Sequence, residues 1–107
     1  MSDDNTIDDL NAAMMDIYHR LKTEAGHDAT YFRDLLSEVG GLNTAKTLFA
    51  KSEPTEGLRA IAALERLDLT VEALVLSTPR FQALFDPPEL QKASDRLKQF
   101  NYTLTTR

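Results

Sequence analysis

The sequence predicts an all-α fold, a compact orthogonal bundle of roughly six or seven short helices. Three observations carry that expectation. Apolar residues recur at spacings of three and four along most of the chain. No segment alternates polar and apolar residues over a useful length, and no internal repeat is present. Gly, Pro, Asp and Thr punctuate the chain where helices must begin or end.

The first helix is expected over residues 6–25. Ile7, Leu10, Met14, Ile17 and Leu21 form one apolar stripe. Thr6 with Asp9 three residues on resembles a capping box, and Gly26 suits the position past the C-terminus. The stripe is too short for a coiled coil, so its default burial site is the core, with a homodimer or a partner's groove as the alternative. A second helix follows Asp28 as cap and carries Tyr31, Phe32, Leu35, Leu36 and Val39 on one face, until Gly40-Gly41 stops it. Asn43 is expected to cap a third, short helix with Ala45, Leu48 and Phe49. The loop Ser52-Glu53-Pro54-Thr55 precedes a fourth helix from Glu56, with Leu58, Ile61 and Leu64.

The stretch LERLDLTVEALVL, residues 64–76, holds two carboxylates in the most apolar part of the chain. One continuous helix would put leucines on every side, so a break is expected near Asp68. Thr70 then caps the next helix, and Leu69 and Leu74 take the positions of a hydrophobic staple. Asp68 is left in the corner to cap backbone N–H groups, and Glu72 lies in a first turn where the dipole favours negative charge. Both acids thus read as punctuation, not as a catalytic pair. Thr78-Pro79 opens a short helix with Phe81, Leu84 and Phe85. Asp86-Pro87-Pro88-Glu89 is a capping-box pattern opening the last helix, whose apolar side holds Leu90, Ala93, Leu97 and Phe100. Asn101 ends it. Residues 1–5 and 103–107 are expected to fray at the ends of one domain spanning 1–107.

Composition narrows the function. With 107 residues, 42% of them hydrophobic, the chain can build one core. It has no cysteine, so disulfides, thiolate metal sites and thiol nucleophiles are excluded, and a reducing cytoplasm is the expected location. No apolar run approaches the ~18 residues that would suggest a membrane span. Residues 1–30 hold seven acids against two bases, while the remainder holds ten of each, so the whole net charge of −5 sits in the first segment. That balance disfavours DNA and suits another protein with a basic surface, or simply a helix start. The partner-binding candidates are Asp8, Asp9, Asp16 and Tyr18. The two histidines, His19 and His27, lack metal-ligand spacing, and no phosphate loop or nucleophile elbow occurs, so no metal, cofactor or catalytic residue is expected. The helices around Gly40-Gly41 have the outline of a helix-turn-helix. The alternative reading is therefore a DNA-binding regulator contacting bases through Asn43, Lys46 and Lys51. Lys92 and Arg96, one turn apart, form a further small basic patch.

The run GGLNTAKTLFAKSEPTEGLRAIAALERLDLTVEALVL, followed by FQALF and ELQKASDRLKQFNY, resembles a short all-helical bacterial module of unassigned function. The resemblance covers residues 18–102. Its most specific parts are Gly40-Gly41 with Ala45-Lys46, the LDLTVEALVL stretch, and residues 90–102. It implies an all-α fold, bacterial origin and an accessory role, alone or appended to larger proteins. It brings no catalytic residues. The expected function is a non-enzymatic protein-interaction module, an accessory or regulatory subunit of a larger system.

Overall fold

A computed structural model describes residues 3–51 and 53–102, with side chains from Asn5 onward. The described residues form six α-helices and one 3-10 turn, with no strand among them: α1 (Asp3–Glu24), α2 (Thr30–Ala50), α3 (Glu56–Ala63), the turn Leu67–Leu69, α4 (Val71–Leu76), α5 (Pro79–Gln82) and α6 (Pro87–Gln99). The fold is all-α. Its radius of gyration is 12.9 Å, close to the ~13 Å of a compact chain of this length.

The stripe on α1 is buried in the chain's own core. Leu10, Met14, Ile17 and Leu21 are all buried, chiefly under α2. Ile7, the first residue of the stripe, is half-buried. The helix starts upstream of Thr6, which lies inside it, so the capping box expected there does not form. Residues 3–5, expected to fray, belong to this helix; residues 1–2 and 103–107 lie outside the described set.

α2 merges the two helices expected around Gly40-Gly41. Gly40 takes φ +84°, an extended left-hand conformation that breaks the helix between 30–39 and 41–50 without a loop. Gly41 is needed for a different reason. Its N–H donates to Asn11 Oδ1 at 2.5 Å, and any Cβ there would collide with Asn11 and Met14. The pair thus brings α2 against α1 as well as bending it. Neither expected cap on this element forms. Asp28 Oδ1 instead accepts from the Tyr18 and Thr30 hydroxyls at 3.0 and 3.3 Å. Asn43 donates backwards to the Val39 carbonyl at 3.1 Å, tying the second half of α2 to the end of the first.

The remaining starts follow the expected chemistry. Thr55 accepts from Leu58 N–H at 3.0 Å, Thr70 accepts from Ala73 N–H at 3.1 Å, and Glu89 accepts from Asp86 N–H at 2.8 Å. Two apolar clusters result. The larger joins Leu10, Met14, Leu36, Phe49, Val75 and Phe85, with the Phe49 and Phe85 rings 5.3 Å apart. The smaller joins Ile17, Leu21, Leu58, Ile61, Leu67 and Leu69. Phe32 and Leu74 pack against both.

Candidate functional site

The passage from α3 into α4 places two acids four residues apart in opposite surroundings. After α3, Glu65 adopts φ +59° and turns the chain into the 3-10 turn Leu67–Leu69. The Thr70 hydroxyl donates to the Leu67 carbonyl at 2.7 Å while accepting from Ala73 N–H, so one side chain closes the turn and opens α4. Leu67 and Leu69 face the smaller cluster, which forces Asp68 between them outward.

Asp68 caps no backbone group of another described residue. Its oxygens accept from Arg66 Nε and Nη2, each at 3.1 Å, and Arg66 Nη2 also reaches Glu24 at 2.8 Å. Arg20 completes the cluster with its own 2.8 Å bond to Glu24. Hydrogen bonds from Arg20 and then Arg66 hold the Glu24 carboxyl down to about 2. The Arg66 guanidinium likewise lowers the Asp68 carboxyl. This corner is an exposed ion cluster.

Glu72 lies in the first turn of α4, as expected, but it is only 5% exposed. It makes no hydrogen bond or ion pair with another described residue. The one fully enclosed side-chain polar atom without a partner among the described residues is Thr44 Oγ1, and the Glu72 oxygens are not in that position. The space beside them is a half-open cavity of about 600 Å3. Its wall is mostly carbon, from Ile17 and Leu21 of α1, Phe32 of α2, Leu58 and Ile61 of α3, and Leu69. Burial raises the Glu72 carboxyl above its ordinary range, opposed by its own backbone hydrogen bond and by the charge of Arg96. The reading of Glu72 as a simple helix-start charge is therefore corrected: position favours its charge, but desolvation opposes it more strongly.

Arg96 does not join exposed Lys92 in an outward patch. Arg96 is 5% exposed, and its guanidinium donates to the Leu48 carbonyl at 3.1 Å and to the Lys51 carbonyl. Lys92 donates to the Ala50 carbonyl at 3.2 Å. Two cations of α6 thus close the C-terminus of α2, where carbonyls lack helical partners and the dipole is negative.

The residues expected to bind a partner do not form one surface. Asp8, Asp9 and Asp16 are exposed, but Asp9 is paired with Arg80 of α5. Asp16 lines a second, smaller cleft of about 420 Å3 with Arg20, Asp68 and Tyr102. Tyr18 is buried on the core side of α1, with its hydroxyl bound to Asp28, and offers nothing to a partner. Of the expected nucleic-acid contacts, Asn43 is exposed but bonded to Val39, and Lys51 is exposed at the cavity mouth. Lys46 is held by both oxygens of Glu89, at 3.0 and 3.2 Å, and lies over the Phe85 ring. Only Gly40 separates the two halves of α2, where a helix-turn-helix has a turn of ~3–4 residues.

Sequence reasoning missed the cavity and an exposed apolar stripe on α2. Tyr31 is 60% exposed and Val39 41%, with half-buried Leu35 between them at four-residue spacing. The face assigned from the sequence merged this stripe with Phe32 and Leu36, which turn inward. Among the described residues, no group of three or more His, Asp or Glu is placed to hold a metal ion. No described helix is long and apolar enough to cross a membrane. No protein-family model matches the chain, and no match is found among curated proteins or solved structures.

Proposed function

We propose that this chain is a non-enzymatic protein-interaction module, an accessory or regulatory subunit of a larger bacterial assembly in the cytoplasm. The observation that supports this reading is the exposed stripe Tyr31–Leu35–Val39 on α2, whose Tyr31 end borders the cavity. An exposed aromatic and two aliphatic side chains at helical spacing match the apolar face of a partner helix. Glu38, exposed on the same half of α2, favours a basic residue flanking that face, while Asp34 is already paired with Arg33. The partner is thus an amphipathic helix with Lys or Arg beside its apolar stripe. The acidic surface invoked is on α2, not on α1.

Affinity purification from the native host tests the reading, with the wild-type chain and a Tyr31→Asp/Val39→Asp variant compared side by side. The stripe is largely outside the core, so the variant is expected to fold, as circular dichroism would verify. A stable partner should be recovered with the wild type and lost with the variant. Repeated recovery of no partner, together with turnover of a metabolite by the purified chain, would overturn the proposal.

A further inference from the structure

We infer that the cavity beside Glu72 is a binding site for a small amphiphile with an aliphatic body and a primary ammonium head, the head meeting the Glu72 carboxyl. This inference does not rest on the docking of a partner at α2, and loss of that partner would leave it standing.

The wall decides the body of the ligand. Ile17, Leu21, Phe32, Leu58, Ile61 and Leu69 present carbon to a space of about 600 Å3, within the range of small-molecule sites. An alkyl chain placed there removes apolar surface from water on both sides.

The polar groups decide the head. Thr55 and Thr70 already bond backbone N–H groups, and Asp28 already accepts from two hydroxyls. Glu72 is the buried polar side chain on this wall that bonds no other described residue. A carboxyl in that position is costly to ionise alone, and a ligand cation supplies the missing counter-charge in a poorly hydrated setting. Arg96 is a competing cation, but its guanidinium is committed to the carbonyls closing α2, whose negative end offsets it. At the mouth, Asp28 and Glu56 are acidic, while Lys51 is exposed and solvated. A carboxylate head would instead face Glu72 directly and be repelled.

Isothermal titration calorimetry of the full chain with n-octylamine, 1-octanol and octanoate separates body from head. The amine should bind with a Kd about tenfold or more below that of the alcohol, and octanoate should bind weakest. Glu72→Gln should bring amine and alcohol to similar affinity, with the fold checked by circular dichroism. In the wild type, the Glu72 side-chain carboxyl 13C resonance should shift on adding octylamine but not octanol, a readout that needs no variant. Equal binding of all three probes, saturation by none, or an unmoved Glu72 resonance under saturating amine would each overturn the inference.

Discussion

The larger and smaller apolar clusters are built from the same kinds of residue and differ in closure. In the larger, Leu10, Met14, Val75 and Ala93 have no exposure at all, and aromatic rings fill the space between α2 and the α5–α6 segment. In the smaller, Ile17, Leu21, Leu58, Ile61 and Leu69 are buried against one another yet share a wall of the cavity, to which the larger lends only Val71 of its buried members. The polar groups follow the same division. Around the larger cluster, Lys46, Arg80 and Arg96 each have a named partner, whereas the cavity wall carries Glu72 without one among the described residues. A sealed cluster contributes stability, and an open one with an unpaired carboxyl has room for a ligand.

Removing residues 1–28 should have the largest effect, because α1 supplies both clusters: Leu10 and Met14 to one, Ile17 and Leu21 to the other. The shortened chain should be unfolded by circular dichroism. A folded, monomeric remainder would mean that α1 is an interaction surface after all.

Paired truncations sharpen the contrast with the chemistry held constant. Leu10→Ala in the sealed cluster should cost about 3–5 kcal/mol, since a new void is left among packed atoms. Leu58→Ala should cost about 2 kcal/mol or less, because its cavity side already lacks neighbours and mainly the transfer term is lost. Urea denaturation measures both. Equal losses would mean that the two clusters are packed alike.

At the corner, Thr70→Ala should cost about 0.5–2 kcal/mol, since its hydroxyl serves both the turn and the start of α4. Asp68→Ala should cost less, as it removes one member of an exposed ion cluster and no cap. The reverse order in chemical denaturation would restore Asp68 as the structural acid of the pair.

The break near Asp68, the Thr70 cap and the α6 capping pair were legible in the sequence because each rests on residues within a few positions of one another. The α1 stripe was legible because five residues fix a helical face. Tyr18 was misassigned although Met14, Tyr18 and Leu21 keep the same four-and-three spacing, a signal that the stripe through Ile17 concealed. Glu72 was not legible for a physical reason. α4 has six residues, and Val71, Ala73 and Val75 are all buried, so no polar side exists from which to read a face. The role of Arg96 depended on carbonyls more than forty positions away, which no local pattern reports.

The ion cluster at the corner and the cavity also imply opposite responses to pH. Glu24, held down to about 2, contributes stability that is present above its ordinary value of 4.5 and is lost as pH falls toward 2. Glu72 is raised, so its contribution is fully present below 4.5 and is lost as pH rises through its folded value. Glu72→Gln should therefore be more stable than the wild type at neutral pH, with the advantage shrinking as pH falls toward about 4.5 and absent below it. A pH-independent difference in melting temperature would count against a buried, unpaired carboxyl.

The most direct test of that unpaired carboxyl is a 13C NMR titration following Asp68 and Glu72 in the same sample. Glu72 should titrate above 4.5, and Asp68, four residues earlier in the chain, should titrate below 3.8. Titration of Glu72 at or below 4.5 would place it in water or in an ion pair, and would contradict the account of the cavity.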